Sequence, residues 1–200
     1  MGPMMPYRVL RDFLPAEMHR ELLDWTLANE ARFRPAPLAG GVIDPDVRSA
    51  KVLRDLGPVE EPLRARIAEL VSGWIAELRV TPFEVTEIEL ELAAHNDGAH
   101  FMLHTDTYRS GLQARGDRML SAVYYFHAEP RAFDGGMLRL HPIGAQPGDA
   151  GGVDVAPEQN SLVVFPSWGP HEVLRVSCPS GAFTDSRFAV NCWVYRARAS

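Results

Sequence analysis

The chain has 200 residues, 46% hydrophobic and 23% charged, which suits one globular domain large enough to bury a core without disulfides. Its formal net charge of -6 argues against nucleic acid as a partner, because phosphate binding needs a basic face. Two cysteines are too few for a disulfide framework, no apolar run is long enough to cross a membrane, and no leader-like segment opens the chain, so the expectation is a cytoplasmic protein.

From the N-terminus, "PAEMHRELLDWTLANEARF" brings Met18, Leu22, Leu23, Trp25, Thr26 and Leu27 round at helical spacing, with Pro15 suited to the first turn. The next stretch, "PAPLAGGVIDPDVRSA", is rich in Pro and Gly and reads as a loop able to lie over a site. A second helix is predicted in "GPVEEPLRARIAELVSGWIAEL". There Leu63, Ile67, Leu70, Val71, Trp74, Ile75 and Leu78 recur at steps of three and four.

After Pro82 the period drops to two. In "EVTEIELELAAH", Val85, Glu87, Glu89 and Glu91 alternate with Thr86, Ile88, Leu90 and Leu92, the pattern of a half-buried strand. Short strands are expected near 100–104, 119–127, 137–141, 152–156, 161–165, 171–176 and 187–195, divided by Gly- and Pro-rich turns. The predicted fold class is mainly β with N-terminal helices (α+β), a jelly roll with the helices packed on one sheet. Residues 1–82 form the helical cover and 83–200 the core of a single domain.

The chemistry gathers in the strand-rich half. In "MLHTDTY", His104 and Asp106 share parity, so on a strand both side chains leave one face. Alone, such a pair is more often a satisfied polar pair than a metal site. His171, opening a later strand in "FPSWGPHEVLRV", is far enough downstream for the chain to cross several strands and return. Two imidazoles and one carboxylate make the facial triad that leaves positions open on non-haem Fe(II). Arg187 opens the last strand in "SRFAVNCWVY", without an acidic neighbour in the local sequence. If it points inward it needs an anion, which its planar fork can grip bidentately.

These residues resemble the iron ligands and cosubstrate arginine of the 2-oxoglutarate-dependent dioxygenases, and most nearly the prolyl-hydroxylase branch. The segments "LSAVYYFH", "DGGMLRLHP", "NSLVVFPSWGPHEV" and "SRFAVNCWVY" carry the resemblance together with "HTD". It implies a double-stranded β-helix core and Fe(II), 2-oxoglutarate and O2 as cofactors, with ascorbate as an accessory reductant. His104, Asp106 and His171 would hold the iron and carry the catalysis through it. Arg187 would take the distal carboxylate of 2-oxoglutarate, with Tyr125 beside it and Tyr124 as the parity alternative. Asn191 shares the strand face of Arg187 and takes a place where relatives carry a small polar residue. The retained Asp106 points to hydroxylation, because related halogenases replace that carboxylate with a small residue.

The substrate implied is a prolyl residue, another residue of a peptide or protein, a free amino acid or a small natural-product intermediate. Pocket candidates are His95, Arg139, His141 and Tyr124. His95 and His100 stand where many relatives carry a tyrosine, while Arg139 and His141 alternate with Leu138 and Leu140 on "MLRLH". His127 and His141 lack the spacing of a further ligand. The segments 37–45 and 107–118 could form a lid. Two other classes compete: a cupin-like metal-binding jelly roll without oxygenase turnover, and an interaction module in which the triad is incidental.

Overall fold

Helical periodicity places two helices in the first half of the chain, and the computed structural model, which describes residues 2–107, 116–149 and 151–198, shows why both form. Helix α1 (Ala16–Ala28) follows Pro15, which is extended and sits at the cap position just outside the first turn. Helix α2 (Glu60–Glu77) buries Leu63, Ile67, Val71, Trp74 and Ile75 along one stripe. Each such fully buried apolar side chain contributes about 1.5–3 kcal/mol relative to exposure, so this stripe fixes where the helix lies.

In chain order the strands are β1 (Arg8–Leu10), β2 (Arg34–Pro35), β3 (Arg48–Ser49), β4 (Lys51–Leu53) and β5 (Glu87–His95). Next come β6 (His100–His104), β7 (Asp117–Phe126), β8 (Asp134–Gly135), β9 (Leu138–Leu140) and β10 (Val153–Val155). The last four are β11 (Ser161–Pro166), β12 (His171–Val173), β13 (Val176–Ser177) and β14 (Arg187–Arg196).

They build a seven-stranded sheet in the order β1-β11-β7-β14-β5-β4-β2 and a five-stranded sheet in the order β10-β9-β12-β6-β3. A small pair, β13-β8, stands apart from both. All pairings are antiparallel. The first 82 residues therefore supply four short strands as well as the helices. Strands of two or three residues carry no readable alternation, and β3 lies at the end of the stretch that reads as a loop.

Strict alternation gives the large sheet two unlike faces. Ile88, Leu90, Leu92 and Ala94 of β5, with Val190, Cys192 and Val194 of β14, pack against α2 in the principal core. Their strand neighbours point the other way, toward the smaller sheet. Met5, Tyr125, Leu138, Leu140, Val155, Val163, Phe165 and Ala189 make a second core between the sheets. The cavity described next opens beside that second core. This is the mostly β architecture with N-terminal helices that the periodicities predict.

Candidate active site

The register of the small sheet brings the first two site residues together. His171 on β12 pairs with His104 at the end of β6, and their ring centroids lie 4.2 Å apart. Asp106 follows just past the strand end, where its backbone N–H donates to the Ser167 carbonyl at 2.9 Å. One Asp106 oxygen lies 3.8 Å from His104 Nε2 and the other 3.6 Å from His171 Nε2. One ligand atom from each of the three side chains falls within 4.8 Å of the others, close enough to share one ion.

The surroundings orient these groups. His104 Nδ1 contacts the Met102 carbonyl at 2.8 Å and His171 Nδ1 the Gly169 carbonyl at 2.9 Å. A carbonyl can only accept, so each Nδ1 donates the proton and each Nε2 keeps a lone pair free on the side of Asp106, where a shared cation would lie. Phe101 stacks on the His104 ring at 3.6 Å between centroids. Burial and the neighbouring His171 push His104 down to about 3, the neutral form that binds metals. Asp106 is held below the usual carboxylate range: burial opposes ionisation, but its surroundings of His171, His104 and Arg118 and the donation from Ser121 favour the carboxylate. That donation, from Ser121 Oγ at 2.6 Å, is extended by Ser167 Oγ at 2.9 Å from Ser121 Oγ.

On the facing sheet, β14 pairs with β5 so that Arg187 lies opposite His95. Arg187 is 1% exposed. Its Nη1 donates to His95 Nδ1 at 3.1 Å, and its Cζ stands 4.8 Å from the centre of the Tyr125 ring. Burial, with Arg187 and Arg48 nearby, drives His95 well below its ordinary value, so it is the neutral acceptor this contact requires. Arg187 Nε and Nη2 and the Tyr125 hydroxyl are buried without a hydrogen-bond partner. Burial raises Tyr125 to about 12, and the same burial lowers Arg187 from its ordinary value. The two side chains feel each other's charge, yet no aligned hydrogen bond joins them.

Orphaned donors in a closed site are costly unless a ligand meets them. A guanidinium that lines the cavity, with donors to spare and a partnerless phenol against it, fits a carboxylate, so the residues present suit a 2-oxo acid beside a metal held by the triad. Gly136 makes room for this grouping. A side chain there would come within 2.6 Å of Arg187 Cδ, and its φ of +64° already lies in the left-handed region.

The cavity is lined by His95, His104, Asp106, His171, Arg187 and Asn191 among others. Six of the sequence-derived residues thus share one site, with Tyr125 against Arg187. The remaining pocket candidates point elsewhere. Tyr124 faces the helices, where its hydroxyl donates to Asn160 Oδ1 at 2.9 Å and meets His19 Nδ1 at 2.5 Å. Arg139 forms a two-pronged pair with Asp154, at 2.7 and 2.9 Å. His141 Nε2 contacts Glu172 at 2.9 Å, and these groups border a separate cavity. The parity of "MLRLH" turns Leu138, not Arg139, toward the site. His100 bridges the Gly98 and Asp46 carbonyls, each at 3.0 Å, and His127 packs edge-on against Phe133.

Several residues at the site carry no signal that single-sequence reading isolates. Ser121, Ser167 and Gly136 are small and common. Arg48 and Glu91 read as ordinary members of a loop and of a strand's polar face. Toward solvent the cavity widens into an outer chamber bordered by Pro37, Leu38, Gly40 and Gly41, part of the expected lid loop. The companion lid segment, 107–118, falls largely outside the described residues.

Comparison with known proteins follows the same lines. The model of the 2OG-Fe(II) oxygenase superfamily matches residues 90–195. An uncharacterized PKHD-type hydroxylase of Synechocystis sp. is 40% identical over 139 residues, covering 66% of this chain and 44% of that protein. The match thus spans less than half the length of that relative. Among solved structures, a Pseudomonas putida prolyl-4-hydroxylase is similar with a TM-score of 0.70 and 26% identity, over 96% of this chain and 93% of the other. A prolyl hydroxylase of Trichoplax adhaerens, solved with a peptide fragment of a hypoxia inducible factor oxygen degradation domain, shares the fold. Its TM-score is 0.73 at 21% identity, over 96% and 84% of the two chains.

Proposed function

Because the chain belongs to the 2OG-Fe(II) oxygenase superfamily, we propose that it hydroxylates an unactivated C–H bond of an amino-acid unit, a prolyl residue of a peptide first among them. The likeness to the Pseudomonas putida prolyl-4-hydroxylase supports the substrate class. The observation that carries the reading is the pairing of a His–Asp–His triad with a buried arginine, two of whose donor nitrogens lack a partner.

In this reading His104, Asp106 and His171 hold Fe(II), while Arg187 and Tyr125 grip the distal carboxylate of 2-oxoglutarate. Iron, 2-oxoglutarate and O2 together supply the oxidising power for C–H hydroxylation. The protein's own groups bind, orient and shield. Ser121 and Ser167 fix the Asp106 carboxylate so that it keeps a single rotamer. His95, neutral and accepting from Nη1, aims the arginine fork into the cavity without adding a competing charge. Asn191 lines the cavity between Arg187 and Trp193 and offers an amide to whatever lies there. Leu138, Val123 and Val173 make the remaining wall apolar, which limits water at the reacting position.

Anaerobic addition of Fe(II) and 2-oxoglutarate tests this directly. The weak visible charge-transfer band of a metal–keto-acid chelate is the expected result. Folded protein that binds iron yet shows no band with 2-oxoglutarate would sink the oxygenase reading.

A further inference from the structure

Three charged side chains meet at the mouth of the cavity. Glu91 stands on the inward row of β5 and is 1% exposed. One of its oxygens accepts from Arg48 Nη2 at 2.8 Å, and the other lies 3.4 Å from Arg54 Nε. The Arg48 side chain is 9% exposed, whereas that of Arg54 is 60% exposed. Arg48 Nη1 donates to the Pro37 carbonyl at 3.1 Å, and its Cζ lies 5.0 Å from the centre of the Phe101 ring. Its Nε is buried without a partner. All three residues line the outer chamber together with His104, Asp106 and Trp193.

Two guanidinium groups against one carboxylate leave one positive charge in excess. The other arginine of this chamber, Arg118, already has Glu89 at 3.0 Å. The inner site does not supply the missing anion, since Fe(II) and Arg187 together balance Asp106 and a 2-oxoglutarate dianion. A partly buried, unbalanced charge is unfavourable until an anion joins it, and low-dielectric walls focus its field on whatever enters.

We propose that Arg48, held in place by Glu91, and the neighbouring Arg54 form a subsite for a carboxylate of the primary substrate. The enzyme then takes an amino acid or short peptide with a carboxylate close to the carbon it hydroxylates. The proposal rests on the hydroxylase reading for its substrate, though its charge argument is separate. Arg48 supplies the fixed guanidinium, whose Nε has no partner of its own. Arg54, only loosely tied to Glu91, swings to close on the anion.

Saturation-transfer NMR on the full chain tests the subsite, with Zn(II) standing in for iron and 2-oxoglutarate saturating so that Arg187 is filled. The probes are a dipeptide mixture with free C-terminal carboxylates, the same mixture amidated, and amidated mixtures carrying Glu or Gln as second residue. The acid of a matched pair is expected to bind at least about fivefold more tightly than its neutral partner, with the two pairs reporting which carboxylate is read. Arg54→Gln should remove about fivefold of that preference, and Arg54→Glu should reverse it. Arg54 is exposed, so both variants keep the fold. Equal binding of acids and neutral partners, or a preference that survives Arg54→Glu, overturns the proposal. Succinate release by the iron-loaded enzyme is measured in parallel. Release without acid preference removes the subsite and leaves the hydroxylase standing, whereas acid preference without release does the opposite.

Discussion

Tyr124 and Tyr125 are chain neighbours on one strand, and the pleat sends them to opposite worlds. Tyr124 enters the helix-covered face, where its hydroxyl is met by Asn160 and His19. Tyr125 enters the face toward the smaller sheet, where its hydroxyl has no partner and Arg187 lies against its ring. The contrast runs along both faces of the large sheet. On the helix side, Leu90, Leu92, Val190 and Val194 fill space and ask for nothing. On the cavity side stand His95, Asn191, Arg187 and Glu91, and several of their polar groups are left open. Folding leaves the first face mostly apolar and its tyrosine paired, while the second keeps Arg187 and Tyr125 with open polar groups.

Removing the metal-facing carboxylate breaks this contrast most severely. Asp106→Ala is expected to abolish iron binding and 2-oxoglutarate turnover together, read as iron content after desalting and as succinate release. Because the buried Asp106 carboxylate is held below its ordinary range and accepts from Ser121, it contributes stability at neutral pH, so the variant should fold but melt somewhat lower. Iron retained at full occupancy would remove Asp106 from the ligand set.

Arg187→Ala attacks the opposite wall. Loss of a desolvated, charge-assisted contact costs about 2–5 kcal/mol, so 2-oxoglutarate affinity should fall by about two orders of magnitude while iron binding persists. Titration calorimetry separates the two ligands. Unchanged affinity for the oxo acid would show that Arg187 serves packing alone.

A matched pair sharpens the comparison at smaller scale. Tyr124→Phe leaves Asn160 and His19 short of a buried partner and should cost about 1 kcal/mol of stability, with 2-oxoglutarate affinity unchanged. Tyr125→Phe removes a hydroxyl that has no partner in the free protein, so its stability should hold or rise slightly, while 2-oxoglutarate affinity drops about tenfold. Denaturant melts and calorimetry on both variants would expose a reversed pattern at once.

Much of this was legible in the residues, and the reasons differ from part to part. Helical spacing around Leu63, Ile67, Val71 and Trp74 located α2 because a single face is buried. The parity of His104 and Asp106 placed them together because β6 runs to His104, and Asp106, two residues on, is tied to the Ser167 carbonyl through its backbone N–H. Parity within "VYY" left Tyr124 and Tyr125 open, since both faces of β7 are buried and both accept a tyrosine. The alternation in "EIELEL" located β5, yet one glutamate of the polar row it identified, Glu91, turns toward the chamber rather than to solvent. Nothing local distinguishes a wet strand face from one roofed by a second sheet. For the same reason Arg139 and His141 read as pocket candidates, because one residue of phase decides which side of β9 looks inward.

That last ambiguity supplies the mildest test. Arg139 and Asp154 face away from the cavity, with side chains 36% and 38% exposed. Solvent screens such a pair, so Arg139→Ala should cost only about 0.5 kcal/mol despite its two-pronged geometry. Turnover and 2-oxoglutarate affinity should match the parent protein. A substantial loss of either would mean that the outer face of β9 reaches the site, through His141 and Glu172 on one side and the β12 ligand His171 on the other. The two faces would then be coupled rather than divided. A small, salt-sensitive loss of stability alone keeps the division intact, with chemistry confined to the side where folding leaves donors open.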